Sequence, residues 1–252
     1  MKPSEYDNLD QVEDRMWWFA AMHANLLMAA QRSGPDRLDL PILDAGCGTG
    51  GLLSRLAAKY YGRPVVGLDF DPQACARAAT KSARPVCAGS VNNLPFANDA
   101  LAAIFSADVL CHEGVEERRA LRQFHRCLSQ NGRLILNLPA YRWVLSRHDM
   151  AVSNTRRYTR TGLRRLLKAV GFHPVYISYW NAVLLPLMVI TRKLVPKHHG
   201  VVVSDVKLYP RSVEMVCRAA TALETALLRR GVRLPFGGSI LAVAVKGGNG
   251  CD

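Results

Sequence analysis

The sequence predicts an α/β fold: a doubly wound, mostly parallel seven-stranded sheet with an N-terminal helical cap and an insertion before the last strand. Short apolar runs of strand length alternate with segments whose apolar residues recur at helical spacing. The first of these runs leads directly into a cluster of glycines at 46–51. Because parallel strands need a crossover between them, this alternation favours helices on both faces of one sheet.

The predicted elements follow the chain in order. The first is a helix over 6–32, whose apolar face includes Trp17 and Trp18 and which Ser33-Gly34-Pro35 ends. The predicted strands are 41–44, 64–69, 85–88, 100–105, 132–138, 174–180 and 239–245. The predicted helices are 52–60, 73–81, 116–128 and 161–170. A further helix is predicted near the end of the insertion, where Val213, Val216, Ala220, Leu223 and Leu227 fall on one apolar stripe.

Length and composition predict an ordinary globular domain. The chain has 252 residues, of which 49% are hydrophobic and 21% charged. Its seven cysteines are odd in number and lack paired CxxC spacing, so we expect reduced thiols and no zinc site. With no secretory signal, a cytoplasmic location is the expectation.

The positive charge is concentrated in the C-terminal part. Residues 1–150 contain 17 Lys and Arg against 16 Asp and Glu, a net +1, whereas 151–252 contain 16 against 4, a net +12. Such a surface attracts a phosphorylated or carboxylated substrate, an acidic membrane surface or nucleic acid. A cationic surface without a partner is the alternative interpretation.

The glycine cluster carries the strongest functional signal. A glycine-rich turn between a strand and a helix lets the backbone pass close to a ligand, where a β-carbon would intrude. Gly46, Gly48 and Gly51 also satisfy the dinucleotide pattern GxGxxG, so the glycines alone leave the cofactor open. Taken with Asp44, the segment Asp44-x-Gly46-x-Gly48-x-Gly50 resembles motif I of the class I S-adenosylmethionine-dependent methyltransferases.

Three further segments carry the same resemblance. Asp69, which ends the second strand, matches the acidic residue that accepts both ribose hydroxyls in that family. Residues 89–96 are similar to the segment beside the adenine, with Ser90 where the family has Asp. Residues 106–112 resemble the stretch after strand four, with Cys111 where the family has Glu.

The resemblance implies a Rossmann-like fold and S-adenosylmethionine as cofactor. It is closest to a broad group, methyltransferase type 11, that includes enzymes of quinone, lipid and polysaccharide biosynthesis. It implies one domain, with a helical cap at 1–35, a cofactor-binding half at 36–138 and an acceptor-side half at 139–252 that holds the insertion at about 181–238. The cofactor-binding residues it implies are Asp44, Gly46, Cys47, Gly48, Gly50, Asp69, Phe70, Ser90, Val91, Ala107 and Asp108.

The long connection after strand five holds the candidates for acceptor chemistry. Methyl transfer needs an aligned nucleophile and often a base. The adjacent His148 and Asp149 are predicted to form such a base, and His112 is a second candidate; a surface pair and a core histidine are the alternatives. The predicted substrate-binding residues are Tyr141, Trp143, Arg147, Arg156, Arg157 and Tyr158, with the arginines placed to clamp an anion or to form a solvated loop.

The insertion adds an apolar run at 182–190, followed by Arg192 and Lys193. Nine residues interrupted by a proline are too short to span a bilayer. Apolar residues beside cations are typical of a surface that touches a membrane or a lipid-like substrate, and they also fit a dimer interface or a core segment. Peripheral membrane contact is therefore an alternative to a purely cytoplasmic location.

The predicted function is methyl transfer from S-adenosylmethionine to a small-molecule or lipid-linked, anionic or partly apolar acceptor in a biosynthetic pathway. An RNA methyltransferase is an alternative suggested by the basic C-terminal part. Against it, strand four continues into Ala107-Asp108-Val109-Leu110 and lacks the Asn/Asp-Pro-Pro-aromatic tetrad of nucleic-acid amine methyltransferases. A non-catalytic binding module and a nicotinamide-dependent oxidoreductase are further alternatives. The oligomeric state stays open.

Overall fold

The computed structural model describes residues 3–31, 39–145, 149, 152–190 and 206–247. Its seven strands are β1 (Ile42–Ala45), β2 (Val65–Asp69), β3 (Val86–Ala88), β4 (Leu101–Ala107), β5 (Leu128–Pro139), β6 (Phe172–Trp180) and β7 (Ser239–Lys246). The helices are α1 (Pro3–Val12), α2 (Trp17–Ala30), α3 (Gly51–Lys59), α4 (Pro72–Ser82), α5 (Glu117–Cys127), α6 (Arg160–Ala169), α7 (Leu185–Val189) and α8 (Arg211–Arg229). A short 3-10 helix covers Arg142–Val144.

The strands form one seven-stranded, mostly parallel sheet, as the alternation predicts, and their order is β3-β2-β1-β4-β5-β7-β6. The pairs among β1 to β5 are parallel, and β7 lies antiparallel between β5 and β6. The strand order reverses at β1, with β2 on one side and β4 on the other. Ligands bind at such a switch point, outside the carboxyl ends of the strands.

Each face of the sheet carries its own apolar core because neighbouring strand residues point to opposite faces. Leu43 and Ile104 pack towards α5 and α6, where Phe124 and Leu163 are fully buried. Ile42 packs on the other face, together with residues of α2, α3 and α8. The two layers of helices therefore enclose the sheet and leave its carboxyl edge for a site.

The single predicted helix over 6–32 is wrong in one respect: it is two helices. α1 ends at Val12 and α2 begins at Trp17, with Met16 in extended conformation between them. The break turns the Glu13 side chain inward, where it accepts hydrogen bonds from the Thr49 hydroxyl at 2.6 Å and from Lys81 Nζ at 2.5 Å. These contacts join segments far apart in sequence, which explains why local periodicity does not show the break.

The apolar stripe predicted on the insertion helix is largely exposed. Val216 and Leu223 of α8 have exposed fractions of 63% and 61%, whereas the buried side chains of this helix include Thr221, Glu224 and Thr225. Glu224 accepts hydrogen bonds from the backbone N–H groups of Asn181 and Val183 at 2.6 and 2.7 Å. The helix thus packs through a polar stripe that satisfies backbone donors, and it leaves apolar side chains outside. Across the described ranges, every helix is too short or too polar to cross a membrane.

Candidate active site

Two cavities lie at the carboxyl edge of the sheet. The first, the motif cavity, has a volume of about 410 Å³ and is lined by the glycine turn, the ends of β1, β2 and β4, and residues of α1 and α2. The second, the side cavity, has a volume of about 400 Å³ and lies between the start of α2, α7 and α8. Both volumes fall in the range of small-molecule sites.

The glycine turn leaves the wall of the motif cavity without side chains. Gly46 has φ +83° and Gly50 has φ +95°, a conformation that glycine adopts at no steric cost. A Cβ on Gly46 would collide with Cγ2 of Val109, and a Cβ on Gly50 would lie 2.7 Å from the Cα of Ala78. The first two residues after β1 are thereby fixed close to β2, where Gly46 N and Cys47 N donate to the Leu68 carbonyl at 2.7 and 2.9 Å.

Among the described residues, five acidic side chains line the motif cavity, those of Glu13, Asp44, Asp69, Asp108 and Glu113, and the first three lie near one another. Asp44 is 1% exposed, and its Oδ2 is buried without a hydrogen-bond partner among the described residues. Burial, followed by the charges of Asp69 and Glu13, raises the pKa of Asp44 well above its usual value. An unpaired buried carboxylate oxygen at a cavity wall is matched best by a cationic ligand group.

Asp69 lies at the end of β2 and is held in a fixed orientation. Its Oδ2 accepts from Gly48 N at 2.8 Å, and its Oδ1 accepts from Asp71 N and from the Tyr6 hydroxyl, both at 3.1 Å. Each carboxylate oxygen has two lone pairs, so further donors can still be accepted. Burial, followed by the Asp69 charge, raises the pKa of Tyr6, so its hydroxyl stays protonated and donates.

S-adenosylmethionine fits this set of residues. The ammonium group of its amino-acid part suits the unpaired oxygen of Asp44, and the vicinal ribose hydroxyls suit the fixed carboxylate of Asp69. Every cofactor-binding residue that the resemblance implies lines the motif cavity except Gly50, which packs on α4 instead. The sequence prediction of the cofactor side therefore corresponds to one continuous surface.

The motif cavity also has lining residues that sequence reasoning missed. Tyr6, Leu9 and Glu13 reach it from α1 and the turn that follows, and Met22 and His23 reach it from α2. Burial lowers the pKa of His23 to about 3, so this imidazole is neutral. The apolar face of the N-terminal segment was the available signal, but it does not distinguish a lid over the cofactor from packing on the sheet.

The side cavity shares part of its wall with the motif cavity. The shared residues are Trp18, Phe19, Asp108, Asn154 and Val206. Trp18 stacks on Trp180 with ring centroids 6.1 Å apart, so this tryptophan both anchors α2 and lines the cavities. A ligand in one cavity can therefore touch a ligand in the other.

The predicted acceptor residues fall into separate groups. Asp149 is fully buried in a forked ion pair with Arg157, whose Nε and Nη2 lie 3.0 and 3.1 Å from the two carboxylate oxygens, and both residues line the side cavity. His148 and Arg147 lie outside the described residues. The predicted contact between His148 and Asp149 therefore stays a prediction.

The two described arginines that are predicted to clamp an anion have internal partners. Arg157 Nη1 donates to the Ala140 carbonyl at 2.9 Å, in addition to the Asp149 fork. Arg156 donates to the carbonyls of His112 at 2.7 Å and Val115 at 2.6 Å. Arg156 thus holds the connection after β5 against the segment that follows β4, and Arg157 braces the connection internally, so neither is carried forward as an anion clamp.

The predicted aromatic residues lie outside both cavities. Tyr158 is buried, with its hydroxyl 2.9 Å from the Leu110 carbonyl and 3.0 Å from Glu117 Oε2. Tyr141 stacks between Trp143 and Tyr179, with centroid distances of 5.8 and 5.1 Å. These rings support the connection and do not line the two cavities.

His112 lines the motif cavity, beside Asn154. Its Nδ1 is buried without a hydrogen-bond partner among the described residues, and burial lowers its pKa, so the neutral form is favoured. A neutral imidazole on the wall of the motif cavity can contact a ligand, which keeps His112 as a candidate.

Comparison with known proteins agrees with this geometry. The family model described as a methyltransferase domain matches residues 43–136. The malonyl-[acyl-carrier protein] O-methyltransferase of Dechloromonas aromatica (strain RCB) is 30% identical over 141 residues, which are 56% of this chain and 52% of that protein. The chain spans about half the length of the curated relatives it matches.

Solved structures share the fold across most of the chain. A methyltransferase in complex with the Haloferax volcanii Trm112 methyltransferase activator has a TM-score of 0.61 at 17% identity, with 96% of this chain and 95% of that chain covered. The geranyl diphosphate C-methyltransferase of Streptomyces coelicolor A3(2), bound to S-adenosyl-L-homocysteine, has a TM-score of 0.57 at 15% identity, with 88% and 77% covered.

The match covers β1 to β5, which contain the glycine turn, Asp44, Asp69 and the end of β4, and the seven-stranded sheet around them has the topology of the solved methyltransferases. Residues 43–136 of this chain therefore match a methyltransferase domain, and the fold around them is that of solved methyltransferases. The residues of the motif cavity fit S-adenosylmethionine as its cofactor.

Proposed function

We propose that this protein transfers the methyl group of S-adenosylmethionine to a small-molecule or lipid-linked acceptor with an apolar body, which binds in the side cavity. The observation that carries the proposal is the wall shared by the two cavities, through Trp18, Phe19 and Asp108 among others. A methyl donor in the motif cavity and an acceptor in the side cavity would meet there.

The lining of the side cavity favours an apolar acceptor. It includes Leu184, Leu187 and Met188 of the α7 region and Val213 of α8. Leu187 and Val213 are also 53% and 39% exposed, so the apolar lining continues to the molecular surface. A long apolar chain could extend from the cavity onto this surface and bury it.

The protein's own residues supply alignment and exclusion of water. When bound, S-adenosylmethionine supplies an activated methyl group. Asp44 and Asp69 would hold its amino-acid part and its ribose, and the segment with Ser90 and Val91 would lie beside its adenine. Tyr6 of α1 lines this cavity and donates to Asp69, and exclusion of water by a bound ligand would strengthen these polar contacts.

Cofactor binding is tested with Asp69→Asn, which keeps the size of the side chain and removes its charge. We expect the dissociation constant for S-adenosylmethionine, measured by calorimetry, to rise at least tenfold. Asp71→Asn is the matched control, because Asp71 lies two residues away, caps α4 and does not line the cavity. Equal affinity in both variants would contradict the role of Asp69.

The acceptor class is tested with methyl-labelled S-adenosylmethionine and separate lipid, aqueous small-molecule and tRNA fractions from a cell extract. Label in the lipid or small-molecule fraction supports the proposal. Label in tRNA alone would replace it with an RNA methyltransferase. Tight cofactor binding without transfer to any fraction would favour a non-catalytic binding module.

A further inference from the structure

Asp108 occupies the junction of the two cavities. It follows β4 directly and adopts φ +55°, a left-handed conformation that aspartate tolerates better than most residues. Its backbone N–H donates to the Asn137 carbonyl at 2.9 Å, which fixes the turn. The side chain lines both the motif cavity and the side cavity.

A buried relay orients the carboxylate of Asp108. Trp180 Nε1 donates to Asn137 Oδ1 at 2.8 Å, and Asn137 Nδ2 donates to Asp108 Oδ1 at 3.1 Å. Since an indole N–H can only donate, the amide oxygen of Asn137 must face Trp180 and its NH₂ group must face Asp108. Asn137 and Trp180 are both fully buried. The Asp108 Oδ2 atom has no hydrogen-bond partner within the described part of the chain and is available to a ligand.

Among the described residues, the charged groups of the side cavity away from its surface, Asp108, Asp149 and Arg157, carry a net negative charge when Asp108 is ionised. Arg157 and Asp149 form a buried pair whose charges cancel, with side-chain exposures of 4% and 0%. Asp108 adds one negative charge next to this pair. Burial, opposed by Arg157 and the Asn137 hydrogen bond and reinforced by Asp149, raises the pKa of Asp108 to about 7. Lys207, at the side cavity wall, is exposed on the surface.

We propose that Asp108 binds the methyl-accepting X–H group, a hydroxyl or amine on an apolar body, and takes its proton during transfer. This rests on the proposed function. The proton moves from X to the free carboxylate oxygen, and the electron pair on X forms the bond to the methyl carbon. The bond between this methyl carbon and the sulfur of S-adenosylmethionine breaks, and its electron pair stays on the sulfur. A carboxylate or phosphate at this end of the acceptor would instead face a like charge.

The head-group preference of the side cavity tests the proposal without any turnover. The probes are n-decylamine, n-decanol and decanoate, each titrated calorimetrically below its micelle concentration at pH 8. We expect decylamine to bind at least tenfold more tightly than decanoate, and Asp108→Asn to reduce this ratio to about twofold. Between pH 8 and pH 6 the preference falls, because Asp108 becomes protonated through about pH 7 while the alkylammonium group stays charged.

Two control variants locate the effect. Glu113→Gln removes a carboxylate that lines only the motif cavity, and the preference should remain. Val213→Trp narrows the mouth of the side cavity and should weaken all three probes together. A preference that survives in Asp108→Asn, tighter binding of decanoate, or no binding of any probe would each overturn the proposal, whatever the affinity for S-adenosylmethionine.

A kinetic test follows for any fraction that the wild-type protein methylates. Asp108→Asn should lower the single-turnover rate by about 10²- to 10⁴-fold, the usual contribution of a general base. Its dissociation constant for S-adenosylmethionine should change less than about threefold. A variant that loses cofactor binding instead would identify Asp108 as a cofactor ligand, the role that the sequence resemblance implies, and would contradict its assignment to the acceptor.

Discussion

At the scale of single residues, the site depends on backbone that carries no side chain. Gly46 has a left-handed φ of +83° and lines the motif cavity. The side chain of Val109 occupies the space that a Cβ on Gly46 would need. Gly62 has nearly the same φ, +80°, but a Cβ there would meet nothing within 4 Å. Alanine substitutions at these two positions therefore distinguish the energetic cost of backbone strain from the cost of steric overlap.

Gly46→Ala should lower the free energy of unfolding by about 2–4 kcal/mol, the sum of left-handed strain and overpacking against a β-branched side chain. Gly62→Ala should lower it by about 1–2 kcal/mol, from strain alone. Urea unfolding measures both values. Gly46→Ala should also weaken S-adenosylmethionine at least tenfold, whereas Gly62→Ala should leave its affinity unchanged; equal effects would argue against close packing at the turn.

Some residues of the motif cavity could be predicted from the sequence because each lies at the end of a predicted strand. Asp44, Asp69 and Asp108 each lie at or just after the carboxyl end of a parallel strand, so a correct order of strands brings them together. Tyr6 and Glu13 could not be predicted in this way, because tertiary contacts with Asp69, Thr49 and Lys81 decide where they point.

At the scale of elements, ion pairs join α1 and the turn after it to α4. Lys81 Nζ lies 2.5 Å from Glu13 and 2.8 Å from Asp10, and Glu13 is only 4% exposed. Lys81 therefore neutralises a buried carboxylate next to the glycine turn. Arg77, one turn earlier on α4, pairs with Asp7 at the surface and provides a comparison.

Lys81→Met should destabilise the protein by about 3 kcal/mol, because Glu13 loses its cation while it stays buried. Arg77→Met should cost at most about 1 kcal/mol, as expected for an exposed pair. Thermal unfolding measures the difference. Hydrogen exchange of 3–12 should accelerate in Lys81→Met and not in Arg77→Met; similar exchange in the two variants would show that α1 is held by its apolar contacts.

The helices of the insertion show a limit of periodicity at this scale. The apolar stripe of α8 predicts a buried face, yet Glu224 and Thr225 are buried and Leu223 is exposed. The buried polar groups bind the start of the insertion and α2, through Asn181, Val183 and Asn25. Only the folded chain reveals these partners, and the exposed stripe that results borders the proposed acceptor site.

At the scale of the whole molecule, the position of each cavity follows from the order of the strands. The motif cavity lies where the strand order reverses at β1, and the side cavity lies beside the start of the antiparallel strand β7. Ser239, the first residue of β7, lines the side cavity, and β7 pairs with β5 along its length. The alternating pattern was sufficient to predict the sheet. The side cavity was not predictable, because it forms between α2, α7 and α8, which are distant in sequence.

A ligand bound in the motif cavity should stabilise the folded protein by mass action. S-adenosylhomocysteine at about 100 times its dissociation constant should add about 2.7 kcal/mol, since the unfolded chain has no cavity to bind it. For a domain of this size the melting temperature should rise by about 5–10 °C in a thermal shift assay.

NADH at the same concentration should give no shift in melting temperature, because Asp44 and Glu13 favour a cationic group of the ligand over a dinucleotide pyrophosphate. Asp69→Asn should need at least ten times more ligand for the same shift. Stabilisation by NADH, or none by S-adenosylhomocysteine at millimolar concentration, would contradict the cofactor placement in the motif cavity.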